Sequence, residues 1–107
     1  MLDKHQIGSI EYAAEHLHCR HIIVLGHTGC GAVAAALSGG GDGFIRYITD
    51  SILEAVGDER DPDRACCLNV KYAADRLKHE FQGNPEISDI VIEAAVYDIR
   101  TGSVSWL

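Results

Sequence analysis

The sequence has 107 residues, of which 47% are hydrophobic, and a formal net charge of −7. This length predicts a single domain over residues 1–107 with a modest hydrophobic core. The acidic balance argues against nucleic acid as a partner, and the lack of an apolar run of about 18 residues argues against a membrane-spanning helix. The polar N-terminal segment is not typical of a signal peptide, so we expect a cytoplasmic protein.

The first half of the chain alternates helical and strand patterns. Apolar residues recur at the spacing of one helix face, at Ile7, Ile10, Ala14 and Leu17. The β-branched run "HIIVL" (His21–Leu25) predicts a short strand that is buried on both faces, as in a parallel sheet. Small residues over Gly31–Leu37 predict a helix that packs closely on this sheet. The glycine-rich segment Ser38–Gly43 predicts a loop.

The second half predicts two helices and a hairpin. The first helix is indicated by the apolar residues Ile45, Ile48, Ile52 and Val56. Pro62 is suited to open the next helix, whose apolar stripe comprises Cys67, Val70, Ala74, Leu77 and Phe81. A second strand is predicted over Asp89–Ile99, a turn over Arg100–Gly102 and a short last strand over Ser103–Leu107. This order predicts a small three-layer α/β fold with a parallel sheet and a C-terminal antiparallel edge strand.

A histidine and a cysteine follow the first strand, in the stretch "IIVLGHTGCGAVAAAL" (Ile22–Leu37). Functional groups in open α/β sheets gather at the carboxyl ends of the strands, where His27 and Cys30 are expected. The glycines beside them allow a tight turn. An imidazole and a thiolate held together are suited to bind zinc. The spacing is equally compatible with Cys30 as a small buried residue.

The segments "SIEYAAEHL" and "HIIVLGHTGCGAVAAAL" together resemble the β-class carbonic anhydrases, and the tail "AAVYDIRTGSVSWL" resembles the closing strand and hairpin of that family. The resemblance implies a zinc lyase that converts carbon dioxide reversibly to bicarbonate, and a homodimer. It also implies that zinc is held by Cys, His and Cys, of which His27 and Cys30 match the second and third. No catalytic residue is assigned.

The 107 residues lack the Cys-x-Asp-x-Arg motif that precedes this block in family members. That motif supplies the first Cys ligand and an Asp and Arg pair, so the third and fourth zinc ligands stay unassigned. The two strands that usually precede the first helix are also absent, which predicts an exposed sheet edge. Three hypotheses remain: an enzyme completed by another residue, a partner chain or water; a non-catalytic relative that keeps the fold and interface; and an N-terminally truncated chain.

Several other polar and sulfur-containing residues have side chains that could serve the site. Cys66 and Cys67 are candidate replacement ligands by chemistry, although core packing is the favoured role of both, since Cys67 lies on the apolar stripe and Cys66 beside it. Three histidines and a cysteine are expected at the opposite end of the first strand, too far from His27 to share a metal ion with it: His16, His18, Cys19 and His21. Turn or packing roles are expected for Asp98, Arg100, Tyr97 and Trp106. Thr28 is expected either to hydrogen-bond near the metal or to cap the turn, and Asp42 would reach the site only if its loop folded over it.

Overall fold

The computed structural model describes residues 2–107 and contains, within them, four helices and three strands. In chain order these are α1 (Lys4–His16), β1 (His21–His27), α2 (Gly31–Leu37), α3 (Ile45–Val56), α4 (Pro62–Phe81), β2 (Val91–Tyr97) and β3 (Val104–Trp106). The predicted α/β class is confirmed. No helix in residues 2–107 has the length and apolar character needed to cross a membrane.

Side-chain caps fix where the first and the longest helices begin. The carboxylate of Asp3 accepts a hydrogen bond from the Gln6 backbone N–H at 3.0 Å, and the Gln6 side chain accepts one from Asp3 N–H at 3.2 Å. This reciprocal capping box starts α1. Asp61 caps α4 by accepting from Arg64 N–H at 3.0 Å. Pro62 occupies the first turn of α4, so the prediction that it opens this helix is confirmed.

The strands form one sheet in the order β1-β2-β3. Strands β1 and β2 are parallel, and their register pairs His21 with Val91 and His27 with Tyr97. Strands β2 and β3 are antiparallel, as predicted for the last strand. Strand β1 pairs with β2 alone among the described strands, so its other edge is free, as the sequence predicted.

Helix α4 joins two hydrophobic clusters. In the first, α4 and α1 cover one face of the sheet, and its buried members include Ala14, Val70, Ala74, Leu77, Ile92, Ala94 and Val96. In the second, α2 and α3 pack together against the start of α4, through Val33, Ala36, Ile52, Val56 and Ala65. The fold therefore consists of three packed groups: the sheet, α4 with α1, and α2 with α3.

The prediction that the first strand is buried on both faces is wrong. Side chains alternate along β1, and those that point away from α4 are open to solvent: Ile23 is 45% exposed and Leu25 57%. Apolar β-branched residues favour a strand, but they do not determine what covers its second face. Trp106 and Tyr97, which we expected to pack, lie on this open face and are 59% and 39% exposed.

The adjacent cysteines of α4 occupy different environments. Cys66 is 5% exposed and belongs to the buried face that continues through Val70 and Ala74, so the apolar stripe begins one residue earlier than predicted. Cys67 is half-buried and packs against the margin of the same cluster. Neighbouring residues on a helix point about 100° apart, so only one of the two cysteines can share the direction of Val70. The step of four residues from Cys66 to Val70 and the step of three residues from Cys67 to Val70 fit the helical period equally well, so the sequence pattern does not distinguish them.

Candidate metal site

Strand β1 extends to His27, two residues beyond its predicted end, and brings this histidine level with Tyr97 at the carboxyl edge of the sheet. The chain then turns at Thr28 and Gly29. The Thr28 N–H donates to the Tyr97 carbonyl at 3.0 Å, and the Thr28 hydroxyl accepts from the Ile99 N–H at 3.2 Å. Thr28 therefore ties the turn to the end of β2, which is the capping role that the sequence left open.

Gly29 makes this turn possible. Its φ is +64°, in the left-handed region that glycine adopts at little cost. A Cβ at this position would also lie 3.1 Å from the Ile99 Cδ1 atom. The turn delivers Cys30 to the residue before α2, where its backbone carbonyl accepts the first helical bond from Ala34 at 3.0 Å.

His27 and Cys30 line the same cleft, which has a volume of about 370 Å³. The cleft follows the free edge of β1 and takes wall residues from both faces of the strand, as well as Gln6 of α1 and Asn69 of α4. The His27 side chain is exposed and Cys30 is half-buried. Solvent therefore reaches both groups from one opening.

The His27 ring is held by its own backbone neighbourhood. Its Nδ1 lies 2.8 Å from the Thr28 carbonyl oxygen. A carbonyl oxygen can only accept, so Nδ1 must carry the proton in this hydrogen bond. In the neutral ring the lone pair then belongs to Nε2, which is the form that binds a metal.

A second sulfur, that of Cys66, lies beside this pair. The Cys66 thiol donates to the His27 carbonyl oxygen at 3.1 Å and lines the same cleft. Burial raises the pKa of the Cys66 thiol, and the neighbouring Cys67 and Cys30 raise this pKa further. The sequence leaves Cys66 as a possible ligand or core residue and does not predict this contact. The available signal was its position one helical turn before Val70 on the helix that covers β1.

The donors fit zinc in kind, since histidine nitrogen and cysteine sulfur are its usual protein ligands. They do not complete a site in number. Within residues 2–107, no group of three or more His, Cys, Asp or Glu side chains is arranged to hold a metal ion. A larger cavity of about 480 Å³ lies near the end of α4, but its lining includes His79 and Asp75 without a cysteine.

The remaining candidates lie where their predicted roles place them. His21 is at the opposite end of β1 and pairs with Glu93 at 2.5 Å, and the Cys19 thiol donates to the His21 carbonyl at 3.3 Å. Asp98 accepts from the Arg100 N–H at 2.9 Å in the turn before β3. This bond and the Arg100 guanidinium lower the pKa of the Asp98 carboxyl. Asp42 is exposed in its loop and does not line the cleft.

Comparison with known proteins places these features in one family. The family profile described as carbonic anhydrase matches residues 1–104. "Carbonic anhydrase 2" of Mycobacterium tuberculosis is 39% identical over 61 residues, which is 52% of this chain and 30% of that protein. The chain therefore matches less than a third of the length of this curated relative.

Solved structures resemble nearly the whole chain. The β-carbonic anhydrase CafA of the fungal pathogen Aspergillus fumigatus superposes with a TM-score of 0.77 at 27% identity, over 98% of this chain and 56% of that one. A tetrameric β-carbonic anhydrase of the ascomycete Sordaria macrospora superposes with a TM-score of 0.76 at 28% identity, over 98% of this chain and 60% of that one. The likeness thus extends to the arrangement of helices and strands around the cleft.

Proposed function

The chain belongs to the β-class carbonic anhydrase family, and on this premise we propose that His27 and Cys30 supply two ligands of a zinc site for the reversible hydration of carbon dioxide. The observation that carries the proposal is their shared cleft at the carboxyl edge of the sheet. Zinc in such a site lowers the pKa of water to about 7 and so supplies the nucleophile for carbon dioxide.

The chain's own residues prepare this edge for a metal. The Thr28 carbonyl holds the His27 ring in the tautomer that leaves Nε2 free to bind. The turn at Gly29 brings Cys30 back to the same opening. A thiolate and an imidazole nitrogen are together a stronger zinc pair than either group with water alone.

Two protein ligands are fewer than the three or four that tight zinc sites normally use. We therefore expect weak or partial zinc binding by this chain alone, with the remaining positions filled by another residue, a partner chain or water. Hydration of carbon dioxide should be slow or absent for the same reason. A tightly held zinc at one per chain, with rapid hydration, would show that an unassigned ligand completes the site.

The test combines metal binding with catalysis. Cobalt(II) titration of the reduced protein should give a thiolate-to-cobalt absorption band that disappears in Cys30→Ser and weakens in His27→Ala. His79→Ala is a matched control, because His79 lies near the end of α4 and lines a different cavity. Zinc stoichiometry and stopped-flow hydration of carbon dioxide are then measured on the same samples. An unchanged cobalt band in Cys30→Ser would refute the assigned ligand pair.

The alternative is a non-catalytic relative that keeps the fold and an interface. It is favoured by the lack of a three-donor group within residues 2–107. The two readings differ in the hydration assay: the alternative allows folded, associated protein with no metal-dependent rate. The proposed enzyme requires that any measured rate follow the bound zinc.

We also propose that the chain associates with a second copy through the open sheet face. Across the three strands, the exposed Leu25 and Trp106 flank the buried Ala95 in one row, and the exposed His27, Tyr97 and Val104 form the next row. Monomers rarely expose a contiguous apolar patch larger than a few hundred Å². Light scattering should detect dimers or larger species at tens of micromolar protein, and Trp106→Lys should shift them toward monomer. A wild-type monomer at that concentration would contradict this.

A further inference from the structure

Cys66 is a buried thiol that the proposed zinc site does not use. Its hydrogen bond to the His27 carbonyl, at 3.1 Å, places its sulfur at the first residue of the turn that leads to Cys30. Thr28 and Gly29 form that turn. Residues at the two ends of a tight turn lie within about 7 Å of each other. Cys66 and Cys30 therefore reach the same chain reversal, and both line the same cleft.

The two thiols differ in exposure. Both line the cleft, but Cys30 is half-buried whereas Cys66 is only 5% exposed. Oxidant-sensitive cysteine pairs commonly combine a solvent-accessible thiol that is oxidised first with a neighbouring thiol that resolves it. Cys30 and Cys66 have this arrangement.

Cys67 provides a contrast on the same helix. It lines a separate surface hollow with Arg64, Leu68 and Lys71, away from the cleft of His27. Adjacent residues of a helix point in different directions. Since the Cys66 side chain is directed toward the turn that leads to Cys30, the Cys67 side chain is not. A cross-link to Cys30 should therefore select one cysteine of the pair.

We infer that a peroxide joins Cys30 to Cys66 in a disulfide, which withdraws Cys30 from the metal cleft. The effect on metal rests on the proposed zinc role of Cys30, whereas the disulfide itself does not. The pair thereby forms a reversible oxidation site beneath His27.

The chemistry balances with one peroxide. The Cys30 sulfur attacks a peroxide oxygen, the O–O bond breaks, and a sulfenic acid and one water result. The Cys66 sulfur then attacks the Cys30 sulfur, the S–S bond forms, the S–O bond breaks, and the hydroxyl leaves with the thiol proton as a second water. Two thiols lose two electrons and two protons, and the peroxide is reduced to two waters.

The test uses the reduced, metal-free full chain treated with hydrogen peroxide. Trypsin cuts after Arg20, Arg46, Arg64 and Lys71, so the expected product is peptide 21–46 joined to peptide 65–71. Because the second peptide contains both Cys66 and Cys67, single variants identify the partner. The cross-link should form in Cys67→Ser and be lost in Cys66→Ser. Loss of the cross-link in Cys67→Ser, or its persistence in Cys66→Ser, would overturn the inference.

Cobalt binding gives the second readout. Peroxide should abolish the cobalt band of the wild type and of Cys67→Ser, and dithiothreitol should restore it in both. In Cys66→Ser the loss should resist dithiothreitol, because Cys30 without a resolving thiol is oxidised on to sulfinic acid. If neither the reduced wild type nor any reduced variant binds cobalt but the cross-link forms as described, the proposed function is refuted and the disulfide inference is supported. If cobalt binds to Cys30 but no cross-link forms, the inference fails and the proposed function stands.

Discussion

Helix α4 approaches the sheet closely at Gly26, the residue before His27, and Gly26→Ala tests whether this contact sets the position of the site. A Cβ at Gly26 would lie 2.3 Å from the Val70 Cγ2 atom and 3.3 Å from the Cys66 sulfur. The first distance is far inside van der Waals contact, so one of the two elements must move. Val70 is 5% exposed, and a β-branched side chain in a helix has one strongly preferred rotamer, so Val70 has little freedom to rotate away.

Two effects oppose each other in this substitution. Replacing glycine by alanine reduces the entropy of the unfolded chain and would stabilise the fold by about 0.4–1 kcal/mol where the conformation and space allow it. Overpacking a dense core costs about 1–3 kcal/mol. The 2.3 Å approach puts Gly26→Ala at the upper part of that range, so the expected net loss of unfolding free energy is about 2 kcal/mol.

Urea denaturation followed by circular dichroism measures this loss. Gly8→Ala is the matched control, because Gly8 lies inside α1 with no atom within 4 Å of an added Cβ. It should raise the unfolding free energy by about 0.5–1 kcal/mol. In a Val70→Ala background the clashing methyl is gone, so Gly26→Ala should cost close to nothing beyond Val70→Ala itself. Additive losses in the double variant would refute the steric account, since residues in direct contact should couple by about 0.5–3 kcal/mol.

Three further results are expected. Cys67→Ala should lower the unfolding free energy measured in urea by roughly 1 kcal/mol and leave metal content unchanged, since Cys67 packs at the core margin. Loss of metal in this variant would identify Cys67 as a ligand. The unfolding free energy should fall as pH rises above about 8.5, because burial raises the pKa of the Cys66 thiol in the folded chain while the same thiol ionises at its ordinary pKa in the unfolded chain. Cys66→Ala should flatten that fall. The pKa of the Asp98 carboxyl is lowered in the folded chain, so its stabilising contribution is present above about pH 4 and is lost as pH falls through that lowered pKa. Asp98→Asn should reduce this loss of unfolding free energy in acid. An identical dependence of unfolding free energy on acid pH in both proteins would count against the turn contact.

The sequence predicted those elements whose signals are local. The start of α4 follows from Asp61 as a cap and Pro62 in the first turn, neither of which depends on tertiary structure. The strand that ends at His27 was recognisable from its β-branched run and from the glycines after it. The spacing placed His27 and Cys30 together at the end of that strand, the resemblance matched them to two ligands of the family's zinc site, and in the structure both line one cleft.

What the sequence could not predict depends on contacts between distant segments. Cys66 and Cys67 fit the same apolar stripe, and only the packing of α4 against Gly26 determines which of them is buried. The solvent-exposed face of β1 has the same apolar residue types as a face covered by a helix, so the local sequence does not predict that Leu25 is exposed. The His21–Glu93 pair joins residues that are 72 positions apart, and strand register alone brings them together.

The open sheet face and the candidate metal site share a residue, which links the two proposals physically. His27 stands in the same cross-strand row as Tyr97 and Val104, at the end of the exposed apolar surface. A second copy that covers this surface also covers the approach to the His27 ring and can fill the missing positions of a two-ligand site. If it does so, metal and association are thermodynamically coupled, and each must strengthen the other by the same factor. Cobalt affinity should then rise with protein concentration in the wild type and lose that dependence in Trp106→Lys, whose substituted residue lies one row away from His27. Equal affinity at all concentrations would separate the metal site from the interface.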